Sequence, residues 1–131
     1  MNVKKNKKGF TLMEMLIVVA IIAVLVAIAI PVLSNNLHKA RVAADWANVR
    51  AFYASLQADY LMTGEYVQEY KEADGFYHEE MHFYNDGKIT QTVDLQEGGF
   101  LIRFTTTTGY HVRYDCTNLH DECGLVLGTG N

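Results

Sequence analysis

Apolar positions are concentrated in one segment near the N-terminus of the chain. From Phe10 to Leu33, only Thr11 and Glu14 are polar. As a helix with a rise of about 1.5 Å per residue, this segment is roughly 36 Å long, whereas the apolar part of a bilayer is about 30 Å thick. The pattern therefore predicts a membrane-spanning helix over residues 10–33.

The helical periodicity continues beyond Pro31, which is expected to kink an apolar helix rather than end it. Large apolar side chains recur at steps of four and three residues, which is typical of one buried helix face: Val42, Trp46, Val49, Tyr53, Leu56 and Tyr60. The spacing of Arg41 and Asp45 is that of an ion pair along a helix. We predict one helix over residues 10–63, with residues 34–63 amphipathic and Gly64 as its stop.

Small side chains form a second row on the same predicted helix. They recur at the same steps: Ala40, Ala44, Ala47, Ala51, Ala54 and Ala58. Two interpretations are compatible with this row. Alanine is the best helix former and accumulates for that reason, or the small side chains allow a second helix to approach closely.

The C-terminal part alternates with period two and predicts about four antiparallel strands. Asn85-Asp86-Gly87-Lys88 is a strong tight-turn signal between two of them. A small sheet alone is marginally stable, so we expect it to pack on the face of Trp46. The predicted fold class is α+β, with a long N-terminal helix packed on a small four-stranded antiparallel sheet. Residues 64–131 would supply an αβ loop, the sheet and a C-terminal loop.

Charge is unevenly distributed. The net charge is −4, yet four lysines lie in the first eight residues, and without them seven basic residues face 15 acidic ones, a net −8. The apolar segment excludes a fully soluble cytosolic protein. The acidic balance excludes a strongly basic nucleic-acid binder, and we expect no direct nucleic-acid binding.

Two cysteines lie near the C-terminus and would close a short loop. A disulfide between Cys116 and Cys123 requires an oxidising compartment. The basic head and apolar span would deliver the C-terminal part outside the cell. We predict the bond; the alternative is two unrelated free thiols.

The N-terminal sequence Lys7-Lys8-Gly9-Phe10-Thr11-Leu12-Met13-Glu14, followed by an apolar run and Pro31, resembles the class III leader of type IV pilins and pseudopilins. The resemblance implies that residues 1–9 are a leader. A prepilin peptidase would cleave between Gly9 and Phe10 and methylate the new amine of Phe10. Pro31 would lie where pilin helices bend or melt on assembly, and Cys116 and Cys123 would bound a loop like the pilin D-region.

Glu14 is expected to act in assembly. A carboxylate at the centre of a spanning helix costs about 2.5–3.5 kcal/mol, and less near its end. Cleavage at Gly9 would create a positive amine one turn away. A neighbouring subunit's amine could then pair with Glu14 in an apolar fibre core and penalise any other axial register. The alternative is a glutamate that stays hydrated at the membrane interface.

His78-Glu79-Glu80-Met81-His82 matches the H-E-x-x-H zinc-protease motif. That chemistry requires a helix, whereas a tight turn begins at Asn85, so we expect a chance match entering a strand. We expect no enzymatic activity, cofactor or metal.

The sequence therefore predicts a structural subunit that forms a homo-oligomeric helical filament and requires a prepilin peptidase and a pilus assembly platform. The precursor would be a single-pass inner-membrane protein, and the mature subunit would lie in an extracellular pilus serving motility, adhesion or DNA uptake. Three alternatives stay open: a pseudopilin of a type II secretion system, a minor or competence pilin, and a membrane-tethered binding module.

Overall fold

The computed structural model describes residues 9–71, 77–117 and 121–128. The predicted leader, residues 1–9, lies outside the described residues except for Gly9. The chain divides into two compact units, one ending at Leu37 and the other beginning at His38. The division into leader, helix and C-terminal part stays a prediction.

The first unit consists of the N-terminal part of helix α1, which as a whole runs from Leu12 to Thr63. The helix begins two residues later than predicted because Thr11 serves as its N-cap. It continues through Pro31, as expected. The apolar side chains of its N-terminal part are exposed, and this helix is long and apolar enough to cross a membrane.

The second unit combines the rest of α1 with short strands. A short helix, α2 (Gln68–Lys71), precedes a hairpin of β1 (Glu80–Asn85) and β2 (Lys88–Asp94). Strands β3 (Gly98–Thr105), β4 (Gly109–Cys116) and β5 (Leu125–Leu127) follow, with a 3₁₀ turn at Asp121–Cys123 before β5. All strand pairs are antiparallel. The α+β class and the packing of a long helix on antiparallel strands are confirmed.

The expected single four-stranded sheet differs from the structure, in which β1–β2 and β3–β4–β5 are separate sheets. The two sheets meet at one residue pair, where His78 and Phe100 exchange two backbone hydrogen bonds of 2.9 Å. Next to this pair, the carbonyl of Glu79 accepts the amide of Leu95 at 2.8 Å. Strand β5 was missed because its three residues are too few to show an alternating pattern.

The buried face of α1 in the second unit is rotated by about half a residue, or roughly 50°, from the predicted one. Its members recur at steps of three and four residues: Val42, Asp45, Val49, Phe52, Leu56 and Asp59. Trp46, Tyr53 and Tyr60 are only half-buried at its margin. The core beneath this face comes mainly from the strands: Met81, Phe100, Ile102, Tyr110, Val112 and Tyr114. The helix therefore buries two aspartates where the pattern predicted large apolar side chains alone.

Candidate functional site

The predicted cleavage bond lies between two exposed residues that precede α1. Gly9 and Phe10 belong to no helix or strand, and Phe10 is 80% exposed. Among the described residues, a Cβ added at Gly9 would meet no heavy atom within 4 Å. Packing among the described residues therefore does not require glycine at position 9.

Thr11 and Glu14 form a reciprocal capping box at the start of α1. The amide of Thr11 donates to Glu14 Oε2 at 2.9 Å, and the amide of Glu14 donates to Thr11 Oγ1 at 3.2 Å. This arrangement satisfies amides that the first turn of a helix leaves without partners, and it places a negative side chain at the positive end of the helix. Sequence analysis missed this role, although the T-x-x-E spacing signals it.

Pro31 lies within α1 and is exposed. Because proline has no amide hydrogen, the carbonyl of Ala27 lacks the donor that a regular helix would give it. The structure shows one continuous helix at this position, so a bend or local melting at Pro31 stays a prediction.

Asp45 is completely buried and connects α1 to the loop between β2 and β3. Its Oδ1 accepts the amide of Gln96 at 2.9 Å, and its Oδ2 accepts the amide of Glu97 at 2.9 Å. The hydroxyl of Tyr114 also donates to Oδ2 at 2.9 Å. Burial, followed by this hydrogen bond, raises the pKa of Tyr114. One helical carboxylate therefore fixes both a loop and strand β4.

Asp59 plays a similar role about four turns further along α1. It is 3% exposed, and its Oδ1 accepts the amide of Gly87 at 3.0 Å. Gly87 and Asp86 have φ angles of 70° and 53°, as a two-residue hairpin turn between β1 and β2 requires. The predicted tight turn is confirmed, and α1 holds it in place.

Arg41 does not pair with Asp45, contrary to the expectation from spacing. Its Nη1 instead donates to Glu97 Oε1 at 2.8 Å, because both oxygens of Asp45 are occupied by backbone amides. Glu97 Oε2 lies 3.2 Å from His38 Nδ1. The hydrogen bonds from Arg41 and then from His38 lower the pKa of Glu97.

Cys116 and Cys123 form a disulfide beside this cluster, as predicted. Both are buried, and the carbonyl of Cys123 accepts the indole N–H of Trp46 at 2.9 Å. His38 Nε2 lies 3.9 Å from Cys123 Sγ. The disulfide, the imidazole and Glu97 therefore lie together, an arrangement that the sequence did not indicate.

The H-E-x-x-H segment does not form the helix that a zinc protease requires. His78 pairs with β3, and His82 lies within β1. His82 Nδ1 is 2.9 Å from Glu69 Oε1 on α2, and Glu69 also accepts the hydroxyl of Tyr84. Burial alone would raise the pKa of Glu69, but these hydrogen bonds outweigh it and lower the pKa. His82 thus joins α2 to β1.

Comparison with known families identifies the N-terminal segment. Residues 4–30 match the family model of the prokaryotic N-terminal methylation motif, which covers about a fifth of the chain. Comparisons with curated proteins and with solved structures found no match. The match shows a class III prepilin leader, and it supports a type IV pilin-like or pseudopilin protein, that is, a structural subunit. The leader and the apolar helix fit a membrane-anchored precursor processed by a prepilin peptidase.

Proposed function

We propose that this chain is a pilin subunit that is cleaved between Gly9 and Phe10 and then polymerises into a type IV pilus. The observation that carries the proposal is the capping box, which holds the carboxylate of Glu14 one turn beyond the cleavage bond in an otherwise apolar segment. Before assembly, the backbone amide of Thr11 donates to this carboxylate. In the filament, it pairs with the methylated amine of Phe10 from a neighbouring subunit.

The exposure of the cleavage bond and of the apolar helix supports this sequence of events. The apolar side chains between residues 12 and 33 are exposed among the described residues. In the proposed sequence of events they are covered first by lipid and then by the same helix of other subunits. The second unit, with its own core, remains outside the filament axis as the headgroup.

Processing is tested by mass spectrometry of the protein isolated from its native cells. The mature chain is expected to begin at Phe10 with one added methyl group. Gly9→Val should leave the precursor uncleaved, because the peptidase no longer finds the glycine that it recognises. The fold should be unaffected by this substitution. A native protein that retains Met1–Lys8 would contradict the proposal.

The role of Glu14 is tested with two variants that separate charge from capping. Glu14→Gln keeps a side chain that completes a capping box but removes the charge, whereas Thr11→Ala weakens the cap and keeps the charge. We expect the glutamine variant to insert and be processed normally, yet to yield few filaments by electron microscopy. The alanine variant should assemble nearly as well as the wild type. Normal filament yield from Glu14→Gln would refute the charge-pairing role.

Electron microscopy of the same cells also separates the pilus from the pseudopilus. Long surface filaments that disappear when this subunit is deleted are expected for a pilus. Secretion defects without such filaments would favour the type II secretion alternative.

A further inference from the structure

The disulfide and the residues around it carry the donor set of a metal site. Among the residues that the structure describes, the side chains of His38, Cys116 and Cys123 bring one ligand atom each to within 4.8 Å of one another. We propose that reduction of the disulfide opens a site for a thiophilic divalent cation such as Zn²⁺, which these three residues bind. This proposal is independent of filament assembly.

The imidazole of His38 is already oriented for such a role. Its Nδ1 faces Glu97 Oε2 at 3.2 Å, and its Nε2 faces Cys123 Sγ at 3.9 Å. With the proton on Nδ1, the lone pair of Nε2 points toward the sulfur. Metal-binding histidines commonly donate their other ring N–H to a carboxylate in this way. Arg41 holds that carboxylate at 2.8 Å.

The distances match what zinc requires. Zinc binds thiolate sulfur at about 2.3 Å and imidazole nitrogen at about 2.0–2.1 Å, so a tetrahedral ion separates sulfur from nitrogen by about 3.6 Å and two sulfurs by about 3.8 Å. The distance from His38 Nε2 to Cys123 Sγ, 3.9 Å, is already close to the sulfur–nitrogen value. The sulfur–sulfur value requires only that the two sulfurs separate by side-chain rotation, because the Cα atoms of the two cysteines are 5.7 Å apart.

The backbone on both sides of the site is held by contacts other than the disulfide. Cys116 ends strand β4, where it is paired with Gly98 of β3. The carbonyl of Cys123 accepts the indole N–H of Trp46. Both cysteines therefore keep their places when the sulfur–sulfur bond is broken.

The chemistry balances with a dithiol reductant. The dithiol gives two electrons and two protons to the protein disulfide, becomes a disulfide itself, and leaves Cys116 and Cys123 as thiols. The divalent cation then displaces the two thiol protons and binds two thiolates and the neutral imidazole of His38. Its fourth position is left for water.

The test uses Co²⁺ as a spectroscopic probe of the full chain in detergent. After reduction with a dithiol and removal of the reductant, wild-type protein is expected to bind one Co²⁺ per chain with a thiolate-to-cobalt absorption band. The oxidised protein should show no such band. Glu97→Gln should weaken binding about 10–100-fold, and His38→Ala should weaken it further.

The matched control is His111→Ala, which removes a half-buried histidine of β4 that is not among the three ligands. It should bind Co²⁺ as the wild type does, and Trp46 fluorescence reports whether each variant is folded. Absence of one-to-one binding by the reduced wild type, or equal affinity in folded His38→Ala, would overturn the proposal. If His38→Ala does not fold, unchanged affinity in Glu97→Gln would overturn it instead.

Discussion

Replacing Asp45 with alanine should destabilise the second unit by about 2–4 kcal/mol. The substitution removes the acceptor of three hydrogen bonds, from the amides of Gln96 and Glu97 and from the hydroxyl of Tyr114. A buried polar group left without a partner costs about 1–3 kcal/mol. The Tyr114 hydroxyl is fully buried and would bear this cost, whereas Gln96 is exposed, so water can reach the amides of the loop. Removing the buried carboxylate also removes the cost of burying its charge, which offsets part of the loss.

The assay is urea unfolding of the full chain in detergent, followed by the fluorescence of Trp46. The midpoint should fall without a change in the slope of free energy against urea. Asp94→Ala, which removes an exposed aspartate at the end of β2, is the matched control and should stay within about 0.5 kcal/mol of the wild type.

A double-mutant cycle identifies the source of the effect. Tyr114→Phe alone should cost about 1.5–3 kcal/mol, because it removes a hydrogen bond to a charged group. In the Asp45→Ala background the same change should cost far less, since its partner is already absent. Additive effects, or a loss below about 0.5 kcal/mol for Asp45→Ala alone, would refute this account of the anchor.

Three further predictions use the same unfolding assay. Asp59→Ala should cost about 1 kcal/mol, because its carboxylate accepts one amide, that of Gly87; no loss would contradict this. Gly98→Ala should cost about 1–3 kcal/mol, since the new Cβ would overlap the carbonyl oxygen of Asp115; wild-type stability would contradict this. The lowered pKa of Glu97 contributes stability above pH 4.5 that is lost as pH falls below that value. Glu97→Gln should therefore reduce the fall in the free energy of unfolding at acid pH. An unchanged dependence of this free energy on pH would contradict the prediction.

Much of the fold follows from local patterns in the sequence. The continuous run of apolar and helix-forming residues predicted the single helix through Pro31, and Asn85-Asp86-Gly87-Lys88 predicted the hairpin turn. The buried helix face was predicted imperfectly because polar side chains were assigned to solvent. Asp45 and Asp59 are buried because loop amides meet them, and those amides come from segments about 30 to 50 residues away, which helical periodicity does not register.

In the candidate site, too, contacts between residues close in sequence could be predicted, and contacts between distant residues could not. The capping box joins two residues that are three positions apart, Thr11 and Glu14, so a search for that spacing would have found it. The cluster of His38 with Glu97 and Cys123 joins positions 59 and 85 residues apart. Only the folded arrangement of helix, loop and disulfide brings them together, and no pairing rule for the sequence anticipates it.

The acidic side chains of α1 differ in how readily their partners can be exchanged. Each of these carboxylates accepts at least one backbone amide: Glu14, Asp45 and Asp59. Asp45 and Asp59 are enclosed, so removal of their partners would leave buried charges unpaired. Glu14 is exposed at a helix end, where water satisfies an amide that it releases. On the proposed function, the amine of an incoming subunit therefore replaces the exposed amide of Thr11 as the partner of Glu14. The exchange does not destabilise the folded subunit, so the energy of the new charge pair favours assembly.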